Sequence, residues 1–501
     1  MASKGETQVP FVESKDSEAG YVKKEWTDEE ERKVMNKVNW KLIPWLMVCY
    51  MVVGIDRTNI GSAAIMNKET PGHSLEEELG MHGSDLNWAT SAFFFGYVLF
   101  EIPSNMMITK TSPSVWISRI MTTWGIIAAV MGAVHNFAGL IAVRVLLGIM
   151  EAGFTPGAAL YLTFWFKKYE VGSRVAYMFA GAGMMSAFSG FIAYGIAYMD
   201  GVGGLTGWRW LFILEGIASS ILGIATYFVL PDYPQTSTFL NSDERAIVVG
   251  RLPPSAPSFV AKEMNWKEIA ELLRDWRMYA LASAQFLITV HNYGLAFFLP
   301  KVISAMGFVS TTALLIKVPI DFIGHAWNFY INWSSDRYQE KVYHSLVCAL
   351  PVLVAWALLG TIQPYLSQYG RYGLLYLSIF YNGLPPMQIG IGATSTTGAT
   401  KTAFRTGFII SMSNIGGIVG GQVYQPDDAP LYIRGHWINF GLMAANIIIL
   451  QIVIWSLTRE GIYMGKNANV TVVERGGIEV DGEHVVDFAQ VAQAGKLAGK
   501  K

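Results

Sequence analysis

Long apolar stretches separated by short polar ones run along the chain from about residue 42 to residue 456. A helix that crosses a bilayer needs about 20 mostly apolar residues, and twelve stretches come close enough to this length to be predicted as spans. They cover residues 42–65, 86–108, 115–134, 137–164, 174–198, 209–230, 278–299, 311–332, 343–360, 372–396, 404–424 and 437–456. The pattern predicts an all-α membrane protein with twelve transmembrane helices. Pro385 and Pro386 predict a break or kink in the tenth span.

The longest polar interval between two spans separates the sixth span from the seventh, which predicts two six-helix bundles joined by a linker. In its second part, MNWKEIAELLRDW, bulky and charged residues alternate at helical spacing, so we expect a helix on the membrane surface. The predicted regions are an N-terminal tail at 1–41, a first bundle at 42–230, the linker at 231–276, a second bundle at 277–456 and a C-terminal tail at 457–501. Two such bundles around a central cavity are typical of secondary transporters.

Composition supports a membrane protein, because 52% of the residues are hydrophobic and only 15% are charged, against about 25% charged in soluble domains. The polar N-terminus, MASKGETQVPFVESKDSEAG, lacks the apolar core of a signal peptide, so the first span must act as the targeting signal. The net charge of -1 and the lack of a dense basic tract give no indication of a nucleic-acid partner. Cys49 and Cys348 lie in apolar stretches and are interpreted as buried thiols.

Lysine and arginine in the short loops indicate the orientation, because loops on the cytosolic side are enriched in both. They are more frequent in the loops after spans 2, 4, 8 and 10 than in those on the other side, and the first loop, NKETPGHSLEEELG, is strongly acidic. We therefore expect both termini in the cytosol. The localisation predicted is the plasma membrane, with multiple spans, contact with lipid and a monomeric state.

Charged residues inside the spans are the strongest functional signal, because each costs roughly 2.5–3.5 kcal/mol at the centre of a membrane helix. In the first span, GIDRTNIG, Asp56 and Asn59 share a helix face, and Arg57 points about 100° away. In the fourth span, Arg144 and Glu151 lie on one face but roughly 10 Å apart along the helix axis, too far for a direct pair. The simplest arrangement is a four-charge cluster of Asp56, Arg57, Arg144 and Glu151.

Such a cluster has the properties that proton-coupled transport needs. The proton affinity of a buried carboxylate changes with its distance from an arginine. An arginine released from its carboxylate partner can bind the carboxylate of a substrate through two parallel hydrogen bonds. The alternative interpretation is that these charges form fixed ion pairs that hold helices together.

Several segments taken together resemble a known family. They are LTGWRWLFILEG, FVLPDYPQ, GIDRTNIG, FEIPSN, RVLLGIMEAGFTPG and SSDR. The set is similar to the anion:cation symporter family of the major facilitator superfamily, in its fungal allantoate and nicotinate permease branch, over about residues 40–460. The loop after span 2, ITKTSPSVWISR, departs from the glycine-rich signature of the wider superfamily. The resemblance implies a major facilitator fold, a proton gradient as the driving force, and no cofactor.

The resemblance also implies roles for individual residues. Asp56 and Glu151 would be proton sites, with Arg57 and Arg144 as anion-binding or gating partners. Tyr97 matches a substrate-contacting tyrosine, and Asn414 matches a polar contact. In the SSDR segment, Asp336 and Arg337 are interpreted as a conformational latch.

A polar stripe on the eighth span is not usual in that family. Lys317, Asp321 and His325 follow one another at intervals of four residues and drift slowly round the helix. One interpretation is a self-contained Lys–Asp pair without a function. The other is a substrate-selecting wall, with Lys317 as a second anion anchor and His325 as a proton relay. His291 in the seventh span could line the same cavity and bind substrate.

Two further acids lie within predicted spans. Glu101 follows Tyr97 by one helical turn, and for it the structural and functional interpretations remain open. Glu215 lies near the outer end of the sixth span beside Arg209 and is interpreted as structural.

The sequence argues against an enzyme. The eight histidines are scattered without metal-ligand spacing, and no Walker-type loop is present. We predict no metal and proton-coupled uptake of a small organic carboxylate, such as a nicotinate-like, allantoate-like or other monocarboxylate anion. The alternative is efflux of an acidic metabolite or toxin by proton antiport. A third reading, a transport-like nutrient receptor, is disfavoured by the short polar C-terminal tail.

Overall fold

The computed structural model describes residues 26–108, 111–252, 266–338, 340–396, 399–460, 478–480 and 484–486. Within this part of the chain there are seventeen α-helices, here numbered in chain order. They are α1 Asp28–Ala63, α2 Leu75–Glu78, α3 Asp85–Ile108, α4 Pro113–Met131, α5 Phe137–Glu151, α6 Phe154–Thr163, α7 Lys168–Ala197, α8 Gly207–Val229, α9 Ser242–Gly250, α10 Trp266–Leu272, α11 Trp276–Ala305, α12 Ser310–Tyr338, α13 Val342–Thr361, α14 Gln368–Ser378, α15 Leu384–Thr394, α16 Ala399–Gly420 and α17 Ile433–Arg459. Two short antiparallel strands, β1 Ile478–Val480 and β2 His484–Val486, pair near the C-terminus.

All twelve predicted spans coincide with helices, so the all-α prediction is confirmed. Within the described residues, eight helices are long and apolar enough to cross a membrane by length and composition. We call α1–α8 the N-terminal half and α11–α17 the C-terminal half. The face where α1 begins and α17 ends is the termini face, and the other end of the helices is the opposite face.

The first helix begins at Asp28, well before the predicted span at residue 42. Thr27 and Glu30 explain this early start, because each side chain accepts a hydrogen bond from the backbone N–H of the other. This reciprocal capping satisfies N–H groups that the first turn leaves free. Residues 28–31 are all acidic, which also suits the positive end of the helix dipole.

The fourth predicted span, 137–164, is present as one apolar segment, Phe137–Thr163, that is long enough to cross a membrane, but its helix is interrupted. The segment breaks after Glu151, where α5 ends, and Gly153 adopts a left-handed φ of 87° before α6 begins at Phe154. A methyl group added at Gly153 would lie 2.2 Å from the Ser104 hydroxyl oxygen of α3. The break therefore depends on glycine, and it places Glu151 at the end of a helix inside the protein.

The prediction of a broken tenth span is confirmed. Helix α14 ends at Ser378, a 3-10 turn follows over Ile379–Gly383, and α15 begins at Leu384 with proline in its first turn. Proline is tolerated in that turn because its missing N–H would have had no partner within the helix.

Glycine brings α3 and α5 into backbone contact, which sets the geometry of the site described below. A methyl group at Gly148 would lie 2.0 Å from the Phe93 carbonyl oxygen, and one at Gly96 would lie 2.2 Å from the Val145 carbonyl oxygen. Small residues at such crossings allow membrane helices to pack closely. The aromatic residues of α3 therefore lie directly against the charged face of α5.

The two halves meet towards the opposite face. Asn87 of α3 donates hydrogen bonds of 2.8 Å to the carbonyl oxygens of Gly421 and Tyr424. A methyl group at Gly61 of α1 would lie 2.3 Å from the Phe297 carbonyl oxygen of α11. Because these contacts join the backbones of both halves, the helices are closed against each other at this level.

The segment between the halves is helical in two places. The helix expected in its second part is present as α10, and its place on the membrane surface stays a prediction. Helix α9 is an additional helix that the sequence pattern did not indicate. Arg251, just after α9, pairs with Glu31 of α1 at 2.8 Å and with Glu170 of α7. The first part of this segment is thus fixed to the termini face of the N-terminal half.

Candidate functional site

A buried ion pair joins the first and fifth helices. Arg57 Nε donates to Glu151 Oε1 at 2.5 Å, with the glutamate side chain fully buried and the arginine side chain 14% exposed. Arg57 Nη1 also donates to the Tyr293 hydroxyl of α11 at 3.3 Å. The guanidinium therefore links the broken end of α5 to the C-terminal half.

Two aromatic rings of α3 lie against the arginines. The Arg57 guanidinium carbon is 4.8 Å from the centroid of the Tyr97 ring, and that of Arg144 is 5.5 Å from the centroid of Phe93. Aromatic faces attract cations within about 6 Å, more strongly where water is excluded. We call Arg57, Phe93, Tyr97, Arg144 and Glu151 together the arginine site.

Within the described residues, Arg144 differs from Arg57 in forming no ion pair and in leaving both terminal nitrogens unused, whereas Arg57 leaves only Nη2 unused. It is fully buried, and its Nε donates to the Ala89 carbonyl oxygen at 3.1 Å. Its Nη1 and Nη2 have no hydrogen-bond partner among the described residues, and there it forms no ion pair. Glu151 acts on it electrostatically but is bonded to Arg57. The site thus contains one paired and one unpaired guanidinium, and the unpaired one can receive a carboxylate.

The predicted four-charge cluster is divided by the structure. Asp56 lies on the other side of α1, where its Oδ2 accepts hydrogen bonds from Trp124 Nε1 at 2.9 Å and from the Ser219 hydroxyl at 2.6 Å. It forms no ion pair with any described residue. The expected shared face of Asp56 and Asn59 is confirmed, because both side chains bond to α8. Adjacent helix positions point about 100° apart, so Asp56 and Arg57 face different neighbours.

Glu215 does not have the partner expected from the sequence. Arg209 pairs instead with Glu78 of α2 at 2.6 Å. Glu215 Oε2 accepts a hydrogen bond of 2.9 Å from Asn59 Nδ2, and its side chain is buried. Glu215 therefore lies against the face of α1 that carries Asp56 and Asn59, and it does not pair with Arg209.

Glu101 and Asn414, predicted separately, lie together across the two halves. Asn414 Nδ2 donates to both carboxylate oxygens of Glu101 at 3.1 and 3.2 Å. This contact joins α3 to α16 one helical turn beyond Tyr97. Whether either residue touches substrate stays a prediction.

The stripe on α12 forms the pair that the sequence suggested. Lys317 Nζ lies 2.6 Å from Asp321 Oδ2, and both side chains are largely buried. His325 packs on α7, where a methyl group at Gly183 would lie 2.5 Å from its Nδ1. The pair thus neutralises itself, and its proposed role in selecting substrate stays a prediction.

His291 lies within the C-terminal half and does not join the arginine site. It is fully buried, its Nδ1 is 2.9 Å from Asn439 Oδ1 of α17, and its ring centroid is 4.5 Å from that of Tyr381. Its neighbour Asn292 accepts a hydrogen bond of 2.6 Å from the Tyr381 hydroxyl. Substrate contact by His291 stays a prediction that these neighbours do not support.

The two latch residues lie at the exposed end of α12. Asp336 pairs with Lys341 at 2.5 Å, and the Arg337 guanidinium carbon is 5.9 Å from the centroid of the Trp333 ring. Their role as a latch stays a prediction.

Phe93 of the arginine site and Tyr293, which accepts a hydrogen bond from Arg57, were missed by sequence reasoning. Phe93 lies one helical turn before Tyr97, so the spacing alone could have placed both rings on one face. Tyr293 carried no such signal, because its contact with Arg57 depends on how the two halves meet.

An ion pair at the opposite face connects the halves outside the spans. Glu76 of α2 bonds to Lys301 of α11 at 2.8 Å and to Lys68 at 2.9 Å. Burial raises the pKa of Glu76, but the two lysines lower it by more, so the pKa is below the ordinary glutamate value. A depressed pKa means that the pair is intact above the ordinary value and is lost only when the pH falls through the lower one.

We expect Glu76→Gln to open this face more often. A partly exposed ion pair contributes up to about 1 kcal/mol, so a cysteine introduced at Ser91 should react about two- to fivefold faster with a membrane-impermeant thiol reagent. The thiolate fraction of the introduced cysteine itself changes with pH, so rates are compared only at the same pH. The ratio of the two rates, with and without Glu76, should be the same at about pH 7.5 and about pH 5 because the carboxylate stays ionised. Glu77→Gln is the control, since glutamine can still accept the Gly72 N–H bond. Equal rates for both variants would contradict the prediction.

Within the described residues, no group of three histidine, cysteine, aspartate or glutamate side chains could hold a metal ion.

Comparison with known proteins gives the family and several relatives. The model of the Major Facilitator Superfamily matches residues 46–421. The chain is 33% identical over 478 residues to the MFS transporter prlL of Fungal sp. (strain NRRL 50135), covering 94% of each chain. It is 30% identical over 426 residues to a putative tartrate transporter of Agrobacterium vitis, covering 84% of this chain and 94% of that one. It is also 30% identical over 407 residues to the putative metabolite transport protein NicT of Pseudomonas putida, with 79% and 88% covered.

Solved structures share the fold at low sequence identity. A bacterial homolog of the human lysosomal transporter Spinster, in an inward-facing and unoccupied conformation, has a TM-score of 0.61 at 15% identity, covering 87% of this chain and 98% of that one. A D-xylose–proton symporter has a TM-score of 0.59 at 13% identity, covering 82% and 97%.

Proposed function

This chain belongs to the Major Facilitator Superfamily, and we propose that it takes up a small organic carboxylate together with protons. As a member of that family it is a multi-pass membrane protein and a transporter, not an enzyme. The finer assignment concerns the chemistry of the cargo and the coupling ion.

The unpaired guanidinium of Arg144 carries this proposal. A buried cation is costly in a membrane protein unless it is paired, and Arg144 has two terminal nitrogens without a partner among the described residues. A carboxylate offers two oxygens in the geometry that those nitrogens match. The apolar Phe93 ring beside it favours an organic anion over a fully hydrated inorganic one.

The Arg57–Glu151 pair supports the coupling to protons. With Glu151 ionised, Arg57 is engaged and neutralised. Protonation of Glu151 removes that charge and frees Arg57, so both arginines can then hold one anionic substrate. Loss of the proton restores the ion pair, which competes with the substrate for Arg57 and promotes its release. Asp56, on the other side of α1, is proposed as a second proton site.

The relatives agree with an anionic cargo. One of them is named as a putative tartrate transporter, and tartrate is a small organic acid with carboxylates. On the motifs described in the sequence analysis, we also propose membership of the anion:cation symporter branch and a nicotinate-like, allantoate-like or other monocarboxylate cargo. A plasma-membrane location, cytosolic termini and a monomeric state are also proposed, on the distribution of lysine and arginine in the loops and on the self-contained fold.

The test is accumulation of labelled small carboxylates, nicotinate among them, in yeast cells that lack their own permeases for these compounds. Wild-type protein should accumulate one compound better at about pH 5 than at about pH 7.5, because the inward proton gradient is then larger. A neutral analogue, such as the amide of the same acid, should not be accumulated. Faster loss of a preloaded acid without any accumulation would instead indicate efflux and overturn the direction proposed here.

A further inference from the structure

We propose that Asp56 and Glu215 form a two-carboxyl site that holds one shared proton between α1 and α8, behind the arginine site. Its part in transport rests on the proton coupling proposed above, whereas its existence can be tested without any substrate. Neither the family comparison nor the sequence pattern assigned a proton to Glu215.

The two acids are brought together by antiparallel helices. Asp56 bonds to Ser219 at 2.6 Å, and Asn59, about one turn further along α1, bonds to Glu215, about one turn earlier on α8. The acids therefore lie diagonally across one helix contact, and Asp56 acts electrostatically on Glu215. Asp56 is 0% exposed and Glu215 7% exposed, so water cannot screen their charges.

The partners of this pair are hydrogen-bond donors and not cations. Asp56 accepts from the Trp124 indole and the Ser219 hydroxyl, and Glu215 accepts from the Asn59 amide. Neither acid forms an ion pair with a described residue. Two like charges at a desolvated contact cannot both persist, so one proton is retained by the pair.

Buried acceptor atoms without a hydrogen-bond partner are the second observation that supports a bound proton at this contact. Asp56 Oδ1 and Asn59 Oδ1 are buried and have no hydrogen-bond partner among the described residues. When both carboxylates are ionised, their oxygens and the Asn59 amide oxygen can only accept hydrogen bonds. Protonation of one carboxylate adds an O–H group, which can donate. A single shared proton thus reduces the charge repulsion and also satisfies a buried acceptor.

The charged groups on neighbouring helices do not neutralise the pair. On α5, Glu151 acts on Asp56 as a further negative charge, but it is bonded to Arg57. On α8, Arg209 is bonded to Glu78 at the opposite face. Helix α7 carries no acidic or basic residue between 175 and 197.

Helix α4 contributes an aromatic donor to the pair, the Trp124 indole. Helix α11 contacts α1 elsewhere, through Tyr293 at Arg57 and through the Phe297 backbone at Gly61. A proton is therefore the positive charge that this contact is built to accept.

The test is a pH titration of the purified protein by infrared difference spectroscopy, which detects the carbonyl band of a protonated carboxyl. Asp56→Asn and Glu215→Gln should each affect the same band and move its midpoint by about one pH unit or more towards lower pH, because a like charge is removed. Ser219→Ala keeps both acids but removes a donor to the ionised form, so it should move the midpoint to higher pH. The midpoint therefore shifts to lower pH in the first two variants and to higher pH in the third. A general loss of structure would not shift it in opposite directions.

Glu101→Gln is the matched control, since it replaces a buried acid of the same half outside this contact. It should leave the midpoint of the shared band unchanged. Two separate bands that respond independently to the two substitutions would overturn the proposal, and so would a midpoint that moves when sodium replaces choline in the buffer. The titration measures no transport, so neither of its outcomes bears on the proposed carboxylate uptake. Equally, a failure to observe uptake would not contradict the shared proton of Asp56 and Glu215.

Discussion

Arg144→Gln should lower the uptake of the accumulated acid by about 30-fold or more at equal amounts of protein in the membrane. Loss of one partner of a buried, hydrogen-bonded charge pair costs about 2–5 kcal/mol, and a factor of ten corresponds to about 1.4 kcal/mol. Arg144→Lys keeps the positive charge but loses the two parallel N–H donors. We therefore expect it to raise KM by about tenfold or more with a smaller change in maximal rate. Initial uptake rates over a range of substrate concentrations measure both effects.

Arg119→Gln is the control for this experiment. Arg119 is an exposed arginine of α4 whose guanidinium carbon lies 4.0 Å from the centroid of the Trp116 ring, away from the arginine site. A surface substitution of this kind changes stability by about 0.5 kcal/mol or less, so uptake should stay within about twofold. If Arg144→Gln transported the acid as well as Arg119→Gln, the guanidinium would not be the anion site.

Glu151→Gln should make transport insensitive to pH. The glutamine resembles the protonated glutamate, so Arg57 is free in both halves of the cycle and no proton has to move with the substrate. We expect the ratio of uptake at about pH 5 to uptake at about pH 7.5 to fall to about one. Exchange of labelled for unlabelled substrate across the membrane should remain, because it needs binding and rocking but no net proton movement. Uptake and exchange measured in the same proteoliposomes separate the two steps.

Glu244→Gln serves as the matched acid-to-amide control. Glu244 lies in α9 at the termini face and pairs there with Lys37, so its loss should leave the pH ratio unchanged. Glu151→Gln that still accumulates substrate against a gradient at about pH 5 would show that the proton is carried elsewhere. The shared pair of Asp56 and Glu215 would then be the next site to test.

The structure separates two layers of charge in the N-terminal half. Arg57, Arg144 and Glu151 form the layer next to the C-terminal half, where an anion can bind. Asp56 and Glu215 form the layer between α1 and α8, where hydrogen-bond donors replace cations. Because Asp56 and Arg57 are adjacent on one helix, a rotation of α1 would move both layers at once. Under the proposed function, this link would account for two opposite charges side by side in an otherwise apolar span.

The sequence was sufficient to locate the twelve long apolar segments and to identify the charges within them. Apolar length and turn residues depend only on the local chain, which is why all twelve predicted spans coincide with helical segments and why Pro385 and Pro386 indicated the break before α15. Helical spacing also placed Asp56 and Asn59 correctly on one face. These results need no knowledge of neighbouring helices, because a backbone in lipid must satisfy its own hydrogen bonds.

Which charges meet depends on how the helices pack against one another. Spacing along α5 excluded a direct Arg144–Glu151 pair, yet it could not say that Glu151 would bond to Arg57 and leave Arg144 without a partner. Spacing along the sequence also could not show that Glu215 bonds to Asn59 while Arg209 pairs with Glu78. Those outcomes depend on helix rotation and on the break at Gly153, which are set by close contacts between backbones from distant parts of the chain. Contacts of that kind leave no periodic signal in a single sequence, and they determine where the charges of this carrier lie.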